Sequence, residues 1–288
     1  MPTPEPASRP RTRRFIQCDV FSPVPTQGNG LAVVVDADGL DTATMQRFAA
    51  WTNLAETSFL FAPTEPDADY HVRIFTPGRE MPFAGHPTLG SCAAWLHAGG
   101  TPRVPGLVRQ ACGVGLVDID VTQTGVPAFG APPTRIAALD AARRDAIVAA
   151  LGIAPAQVVR TVHLDNGPVW QVLELASAEA VLAVDSARVR YPAFESIGLI
   201  GAHPTGADCA FEVRMLAPSS GMSEDPITGS LNAALAQWMR SEGRLDRPLR
   251  IAQGTVIGRQ GRVHVRPAAQ HIWIGGQTHV LIEGTVLL

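Results

Sequence analysis

RIFTPGREMPFAGHPTLGSCAAWL, residues 73–96, has a second copy later in the chain, RMLAPSSGMSEDPITGSLNAALAQW, residues 214–238. Each copy reads as a strand, a proline-containing loop and an Ala- and Leu-rich helix opened by Pro-x-x-Gly-Ser. This pairing aligns Gly90 with Gly229, an offset of 229 − 90 = 139 residues, whereas the upstream arginines differ by 214 − 73 = 141. A repeat at so long a spacing predicts two related halves rather than a solenoid.

Each repeated unit predicts a helix N-terminus that can hold an anion. Glycine permits close approach of the backbone, and serine can cap the first free N–H groups. Those N–H groups and the positive end of the helix dipole favour a carboxylate. Either start, taken alone, is better explained by an ordinary capped helix, because capping is general. The duplication, with His86 and Asp225 just before each Gly-Ser, favours a site where two helix ends face one small anion between two domains.

Glu56 lies in NLAETSFLF, residues 53–61, where a predicted helix at Thr42–Thr52 meets an apolar strand. A carboxylate in this setting either turns out to solvent or is buried with a raised pKa. The solvent-exposed arrangement is the commoner one, because buried glutamate is rare. Glu56 is nevertheless the best single candidate for a general acid and base, since a desolvated glutamate suits that role near neutral pH.

Composition indicates a globular protein with room for two domains. The 288 residues are 46% hydrophobic and 17% charged. A net charge of −3 without clustered Lys and Arg argues against a nucleic-acid partner, and no apolar run is long enough to cross a membrane. The four cysteines lie far apart without zinc or CxxC spacing, which is typical of reduced thiols in a cytoplasmic protein.

Several catalytic motifs are absent from the sequence. There is no GxSxG elbow, no Walker loop and no HExxH among the eight histidines. GVGLVD (113–118) and GNGLAVV (28–34) both lack the third glycine of a dinucleotide fingerprint. These absences argue against serine hydrolase, ATP-dependent, NAD-dependent and zinc chemistry, and leave a cofactor-free enzyme or a binding protein.

Local patterns place several further elements. Asp41 is a predicted N-cap for Thr42–Thr52, with Met45, Phe48 and Ala49 on its apolar face. Alternation predicts a strand at Tyr70–Phe75. Residues 127–133 look like an interdomain linker, and residues 1–14, rich in Pro and Arg without the apolar core of a secretory signal, are expected to form a disordered tail.

These motifs resemble the PhzF-like family of phenazine biosynthesis, within the wider diaminopimelate epimerase-like fold. The matching segments are DVF…GNGLAVVVDADGL (19–40), NLAETSF (53–59), VRIFTPGREMPFAGHPTLG (72–90), VRMLAPSSGMSEDPITGS (213–230), QGTVIGRQG (253–261) and IGG (274–276). EMPFAGHPTLG and EDPITGS, in this order and spacing, are specific motifs. The resemblance covers nearly the whole chain from residue 15 onwards.

The resemblance implies an α+β fold of two pseudo-symmetric halves, each a curved β-sheet or barrel around a central helix, with the active site between them. We expect the halves at residues 15–130 and 131–278, with the last strand, 279–288, returning to the first half. The resemblance also implies a homodimer. No cofactor or metal is expected.

Residue by residue, the resemblance assigns the acid/base role to Glu56 and the other polar catalytic positions to His86 and Asp225. It assigns substrate-carboxylate binding to Gly85, Gly229 and Ser230. The implied reaction is a proton transfer that shifts a double bond on a small unsaturated or cyclic carboxylic acid.

Two rival functions stay open. A protein of this fold can be a non-catalytic module that binds small carboxylates. Racemases and epimerases of the fold use two cysteine bases. The corresponding positions here are at about Ala84 and Pro226, and neither is cysteine, so a two-thiol racemase is disfavoured. The chain departs from the family at one place: it has Gly28-Asn29-Gly30 where the family commonly has Gly-Asn-Pro.

Overall fold

The computed structural model describes residues 10–219 and 222–288, and it shows an α+β architecture. The strands of the first half are β1 (Thr12–Val20), β2 (Asn29–Val34), β3 (Glu56–Phe61), β4 (Tyr70–Phe75), β5 (Glu80–Met81), β6 (Leu107–Cys112), β7 (Gly115–Asp120) and β8 (Ala128–Gly130). The remaining strands are β9 (Arg135–Ala137), β10 (Val158–Asp165), β11 (Val169–Leu175), β12 (Ile197–Ala202), β13 (Phe211–Leu216), β14 (Glu224–Asp225), β15 (Leu249–Gln253), β16 (Gly261–Pro267), β17 (Ile272–Gly275) and β18 (Thr278–Leu287). The α-helices are α1 (Thr42–Thr52), α2 (Gly85–His97), α3 (Ala141–Leu151), α4 (Ala178–Leu182) and α5 (Gly229–Ser241).

Strand pairing divides the sheet into two halves of the same topology. The first half runs β18-β1-β2-β3-β4-β6-β7-β8, and the second runs β9-β10-β11-β12-β13-β15-β16-β17. Parallel pairs fall at matching places, β2–β3 and β4–β6 in one half and β11–β12 and β13–β15 in the other. The halves join where β8 pairs with β17. The predicted α+β fold of two pseudo-symmetric halves is therefore confirmed.

One central helix fills each half. Helix α2 packs against β1, β2 and β3, and α5 packs against β10, β16 and β17. Both helices are apolar on most of their surface, as expected of helices enclosed by strands. Leu89 of α2 and Leu231 of α5 belong to one continuous hydrophobic core. This arrangement places the two helix N-termini at the junction of the halves.

Local predictions hold where nearby residues determine the structure. Helix α1 begins after Asp41, whose Oδ1 accepts a hydrogen bond from the Thr44 amide at 2.7 Å, and Met45, Phe48 and Ala49 are buried. The strand predicted at Tyr70–Phe75 is β4.

The chain ends and the linker differ from the predicted pattern. Of the expected tail, residues 1–9 lie outside the described residues, and β1 begins at Thr12. Arg14 binds Asp36 with its Nε 2.9 Å from the carboxylate, and the segment forms strand because its backbone pairs with β18 and β2. The expected linker at residues 127–133 contains β8, which pairs with β17. Strand β18 pairs along β1 from Thr12 to Val20. Within the described residues, no helix has both the length and the apolar character needed to cross a bilayer.

Candidate active site

The N-termini of the two central helices touch. Gly85 is the first residue of α2 and Gly229 the first of α5. A Cβ added to Gly85 would lie 2.7 Å from the Gly229 Cα, and one added to Gly229 would lie 2.9 Å from the Gly85 Cα. Such distances are too short for any side chain, so only glycine allows the two helix ends to meet.

Neither helix start has a side-chain cap. The N-cap residues, Ala84 and Thr228, are extended and make no capping hydrogen bond. The expected serine caps are wrong, because Ser91 lies within α2 and Ser230 is the second residue of α5. The uncapped N–H groups of two helices therefore point toward one junction, an arrangement suited to an anion.

The repeat aligns differently in three dimensions. Helix α2 begins at Gly85, so Gly90, which the sequence pairing aligned with Gly229, lies inside the helix. The helix starts differ by 229 − 85 = 144 residues. A Cβ on Gly90 would lie 2.5 Å from the Leu31 side chain, so this glycine serves close packing of α2 against β2. Pro87 is tolerated at the third helical position, because the N–H it lacks would have no partner within the helix.

Glu56 and His86 face each other in this junction. Glu56 is the first residue of β3 and His86 the second of α2, and Glu56 Oε2 lies 3.4 Å from His86 Nε2. The Glu56 side chain keeps 18% of its surface exposed, although its Oε2 is buried. The two facing atoms are not aligned for a hydrogen bond, and neither has another partner among the described residues. Each atom can therefore bind, or exchange a proton with, a substrate group that lies beside the pair.

Burial sets the protonation of both side chains. Loss of solvation, and to a smaller extent the nearby Asp225 carboxylate, raises the pKa of Glu56 to about 8. Desolvation lowers the pKa of His86 to about 3, so the imidazole is neutral at pH 7. A carboxyl group with a pKa near the working pH can both take and return a proton.

Asp225 completes the cluster from the second half. It is the second residue of β14, and its Oδ1 accepts a hydrogen bond from Asn29 Nδ2 at 3.2 Å. Its Oδ2 accepts a hydrogen bond from the Thr228 hydroxyl. Burial raises the pKa of Asp225, while the Thr228 and Asn29 hydrogen bonds oppose that rise.

The structure brings the predicted side chains Glu56, His86 and Asp225 into one cluster and places the predicted glycines at the touching helix ends. Ser230 is buried at the second position of α5, and its carbonyl accepts a hydrogen bond from Asn166 Nδ2 at 2.9 Å.

Sequence reasoning missed Asn29 and Gln253. Gln253 Oε1 accepts a hydrogen bond from the Thr228 amide at 3.1 Å, and its Nε2 lies 3.3 Å from the Asp225 carbonyl oxygen. The glycines that flank Asn29 were a signal in the sequence, since glycine marks places where the backbone approaches other groups closely.

The two positions that the family resemblance assigns to the racemase cysteines, Ala84 and Pro226, hold no cysteine. All four cysteines are buried, and burial raises the pKa of Cys18 to about 12. Among the described residues, no group of three or more His, Cys, Asp or Glu side chains is arranged to hold a metal ion.

A groove of about 920 Å³ lies elsewhere, between the loop at residues 203–210 and strands β15 to β17. None of the proposed site residues lines it. Two of its arginines are paired within the protein, since Arg250 binds Asp208 at 2.5 Å and Arg266 binds Asp120. The groove is therefore a weaker candidate for the active site than the helix junction.

Comparison with known proteins places the chain among well-defined relatives. A family model described as phenazine biosynthesis-like protein matches residues 18–285. The antisense-enhancing sequence 1 protein of Schizosaccharomyces pombe is 36% identical, over 94% of this chain and 97% of its own. The trans-2,3-dihydro-3-hydroxyanthranilate isomerase of Pseudomonas fluorescens is 30% identical, over 95% and 99%. The crystal structure of a PhzF-family phenazine biosynthesis protein from Bacillus anthracis superposes with a TM-score of 0.81 at 22% identity, covering 96% of this chain and 100% of that one.

Proposed function

The chain belongs to the family of phenazine biosynthesis-like proteins, and from that membership we propose a cofactor-independent isomerase that moves a proton, and with it a double bond, on a small unsaturated or cyclic carboxylic acid. Isomerase activity accords with the names of its relatives. One observation carries the finer proposal. Two buried and unpartnered atoms, Glu56 Oε2 and His86 Nε2, face each other 3.4 Å apart beside two uncapped helix ends.

The proposed reaction begins with the substrate carboxylate on the N–H groups of Gly85, Gly229 and Ser230. Glu56 takes a proton from one carbon, so that a C–H bond breaks and an O–H bond forms on the carboxyl. The electron pair of the broken bond shifts the neighbouring double bond. The Glu56 carboxyl, whose proton exchanges with water, then donates a proton to another carbon, which restores the carboxylate and leaves an isomer of the substrate.

His86 and Asp225 are proposed to serve the polar substituents of the substrate. His86 is neutral at pH 7 because burial lowers its pKa, so it can donate one hydrogen bond without adding charge. Asp225 accepts hydrogen bonds from Asn29 and Thr228 and can accept one from a substrate N–H or O–H. Together the two groups orient the ring against Glu56.

The first test uses trans-2,3-dihydro-3-hydroxyanthranilate, the compound named for the Pseudomonas fluorescens relative. Conversion in deuterated water is followed by proton NMR with wild type and Glu56→Gln. We expect wild type to consume the substrate with deuterium on carbon. Glu56→Gln should be slower by about 10²–10⁴-fold, the usual contribution of a general acid and base.

Glu80→Gln is the matched control, because Glu80 is a carboxylate on the surface side of the neighbouring hairpin. It should retain wild-type turnover. Near-wild-type turnover by Glu56→Gln would refute the role of Glu56. If folded wild type leaves this substrate unchanged, the same assay with other small unsaturated carboxylic acids tests the broader proposal.

Two alternatives predict different results. A non-catalytic carboxylate-binding module would be stabilised against heat by small carboxylates, as any ligand selective for the folded state must do, yet exchange no deuterium. A two-thiol racemase would be inactivated by thiol alkylation, which we expect to have no effect.

We also propose a homodimer, as the family resemblance implied. Among the described residues, strand β18 pairs only with β1 and exposes Leu281 and Ile282, so the sheet has a long edge that a second copy can cover. Light scattering after size-exclusion chromatography tests this.

A further inference from the structure

Asn29, the first residue of β2, is a buried side chain at the site to which the proposed reaction assigns no step of its own. It is 2% exposed. Its Nδ2 lies 2.9 Å from the Ile227 carbonyl oxygen, 3.2 Å from Asp225 Oδ1 and 3.3 Å from His86 Nδ1. Two of these neighbours come from the second half of the chain and one from the first. A single side-chain amide therefore connects the two halves at the site.

The neighbours determine which way this amide faces. The Ile227 carbonyl can only accept a hydrogen bond, and an ionised Asp225 carboxylate likewise. If the amide were turned over, the Asn29 oxygen would face both acceptors with no hydrogen between them. The –NH2 group must therefore point at Ile227 and Asp225, and His86 Nδ1 lies on this same side.

The orientation of the amide determines the tautomer of His86. An amide –NH2 donates hydrogen bonds and accepts none, so it stabilises a ring nitrogen that carries a lone pair. The –NH2 group has two hydrogens for its three neighbours, and a protonated Nδ1 would face it donor to donor at 3.3 Å. A neutral His86 avoids this repulsion only when Nδ1 is unprotonated, which places the single proton on Nε2. That nitrogen is the one facing Glu56 Oε2.

We propose that Asn29 is a positioning residue that fixes His86 in the Nε2–H tautomer, so that the proton lies on the ring nitrogen that faces Glu56 and the site. The tautomer follows from contacts of the resting protein. Its effect on turnover rests on the proposed isomerase function. In a neutral histidine, the hydrogen bond made by one ring nitrogen determines whether the other nitrogen carries the proton.

The test is long-range proton–nitrogen NMR of protein labelled with ¹⁵N-histidine, with the His86 signals identified by their loss in His86→Gln. Wild type should show a protonated Nε2 and an unprotonated Nδ1 at pH 7. Asn29→Ala should show both tautomers, and so should Asn29→Leu, which has a similar shape but no hydrogen-bond donor. If either variant does not fold, the other carries the comparison.

Turnover supplies a second readout. In Asn29→Ala, kcat should fall about 10²-fold, the lower end of what a general acid contributes, with KM changed less than about threefold. Gln110→Ala is the control, because Gln110 is an equally buried amide that binds Tyr70 and Thr88 and touches none of the site carboxylates. It should leave the His86 tautomer and kcat unchanged.

A wild-type His86 with its proton on Nδ1, or a charged ring, would overturn the proposal. So would a single Nε2–H tautomer that persists in Asn29→Ala, whatever its turnover. The NMR result needs no substrate. If the tautomer behaves as expected while no carboxylic acid is converted, the isomerase proposal fails and the role of Asn29 in setting the tautomer stands.

Discussion

The hairpins that lead into the two central helices carry the same ion pair in opposite environments. In the first half, Arg73 Nε lies 2.7 Å from Glu80, and the side chains keep 26% and 38% of their surface exposed. In the second half, Arg214 Nη2 lies 2.6 Å from Glu224, and neither side chain is exposed. The pairs occupy equivalent places, because β5 pairs with β4 as β14 pairs with β13.

The difference arises from the crossover helices. Helix α1 approaches Arg73 only through the Thr42 hydroxyl, which accepts a hydrogen bond at 3.0 Å. Helix α4 covers Arg214, whose Nη1 donates to the carbonyls of Val181 and Val184 at 3.1 and 2.5 Å. Buried in this way, Arg214 satisfies both the Glu224 carboxylate and the free carbonyls at the end of α4.

The same Arg–Glu pattern therefore has a different energetic role in each half. An exposed ion pair contributes little to stability, because water competes for both charges. A buried pair contributes little over an apolar pair, yet loss of one partner is costly because the other charge is left without solvent. Since Asp225 follows Glu224 on β14, the buried pair also holds a proposed catalytic carboxylate in place, a role that the exposed pair does not have.

The largest effect is expected from removing the buried arginine. Arg214→Leu leaves the Glu224 charge uncompensated and should lower the free energy of unfolding by about 3–5 kcal/mol. Urea denaturation at pH 7 measures the change.

Arg73→Leu is the matched control at the equivalent position of the first half. It should cost no more than about 1 kcal/mol, the upper range for an exposed pair. Equal losses in the two variants would show that the difference in burial has no energetic consequence.

A smaller effect is expected where the halves touch. In Gly85→Ala the new methyl group would overlap the Gly229 backbone, so the helix ends must separate, at a cost of about 1–3 kcal/mol. Turnover should fall as well, because the N–H groups that bind the substrate carboxylate move apart. Thermal unfolding and kcat measure both results.

Gly30→Ala provides the comparison for that change. The nearest atom to a Cβ there, on Leu54, is 3.9 Å away, and stability should stay within about 0.5 kcal/mol of wild type. A Gly85→Ala protein as stable as Gly30→Ala would show that the helix ends do not need to touch.

The smallest effect is expected in the dependence of the free energy of unfolding on pH. Glu56 and His86, both in the first half, should determine its slope. Burial raises the pKa of Glu56 from 4.5 to about 8, so between these values the folded protein keeps a proton that the unfolded chain has lost. Stability from this group therefore falls as pH rises through that window. Burial lowers the pKa of His86 from 6.5 to about 3, so its contribution rises with pH between 3 and 6.5.

From pH 4.5 to 6.5 the contributions of Glu56 and His86 to the slope of stability against pH have opposite signs. Above pH 6.5 only the Glu56 contribution of these two remains. There wild type should lose stability relative to Glu56→Gln, at a rate approaching about 1.4 kcal/mol per pH unit until pH 8. The difference in unfolding free energy between the two proteins, measured in urea from pH 5 to 9, tests the sign. A constant difference across that range would contradict a raised pKa in Glu56.

The sequence by itself determined the local elements and the general plan. The repeat indicated two halves, Asp41 and the apolar spacing marked α1, and alternation marked β4, because caps and periodicity depend on residues close in the chain. The family motifs also named Glu56, His86 and Asp225, which the structure places together.

Only the tertiary structure decided where α2 begins, which Arg–Glu pair is buried and what Asn29 contacts. Asn29 meets His86 and Asp225 across 57 and 196 residues of chain, and no local pattern reports such contacts. The equivalent arginines have similar neighbours in sequence, yet α4 alone removes one of them from water. Burial, and with it the pKa of every group at the site, depends on how the two halves pack together rather than on the residues beside each one.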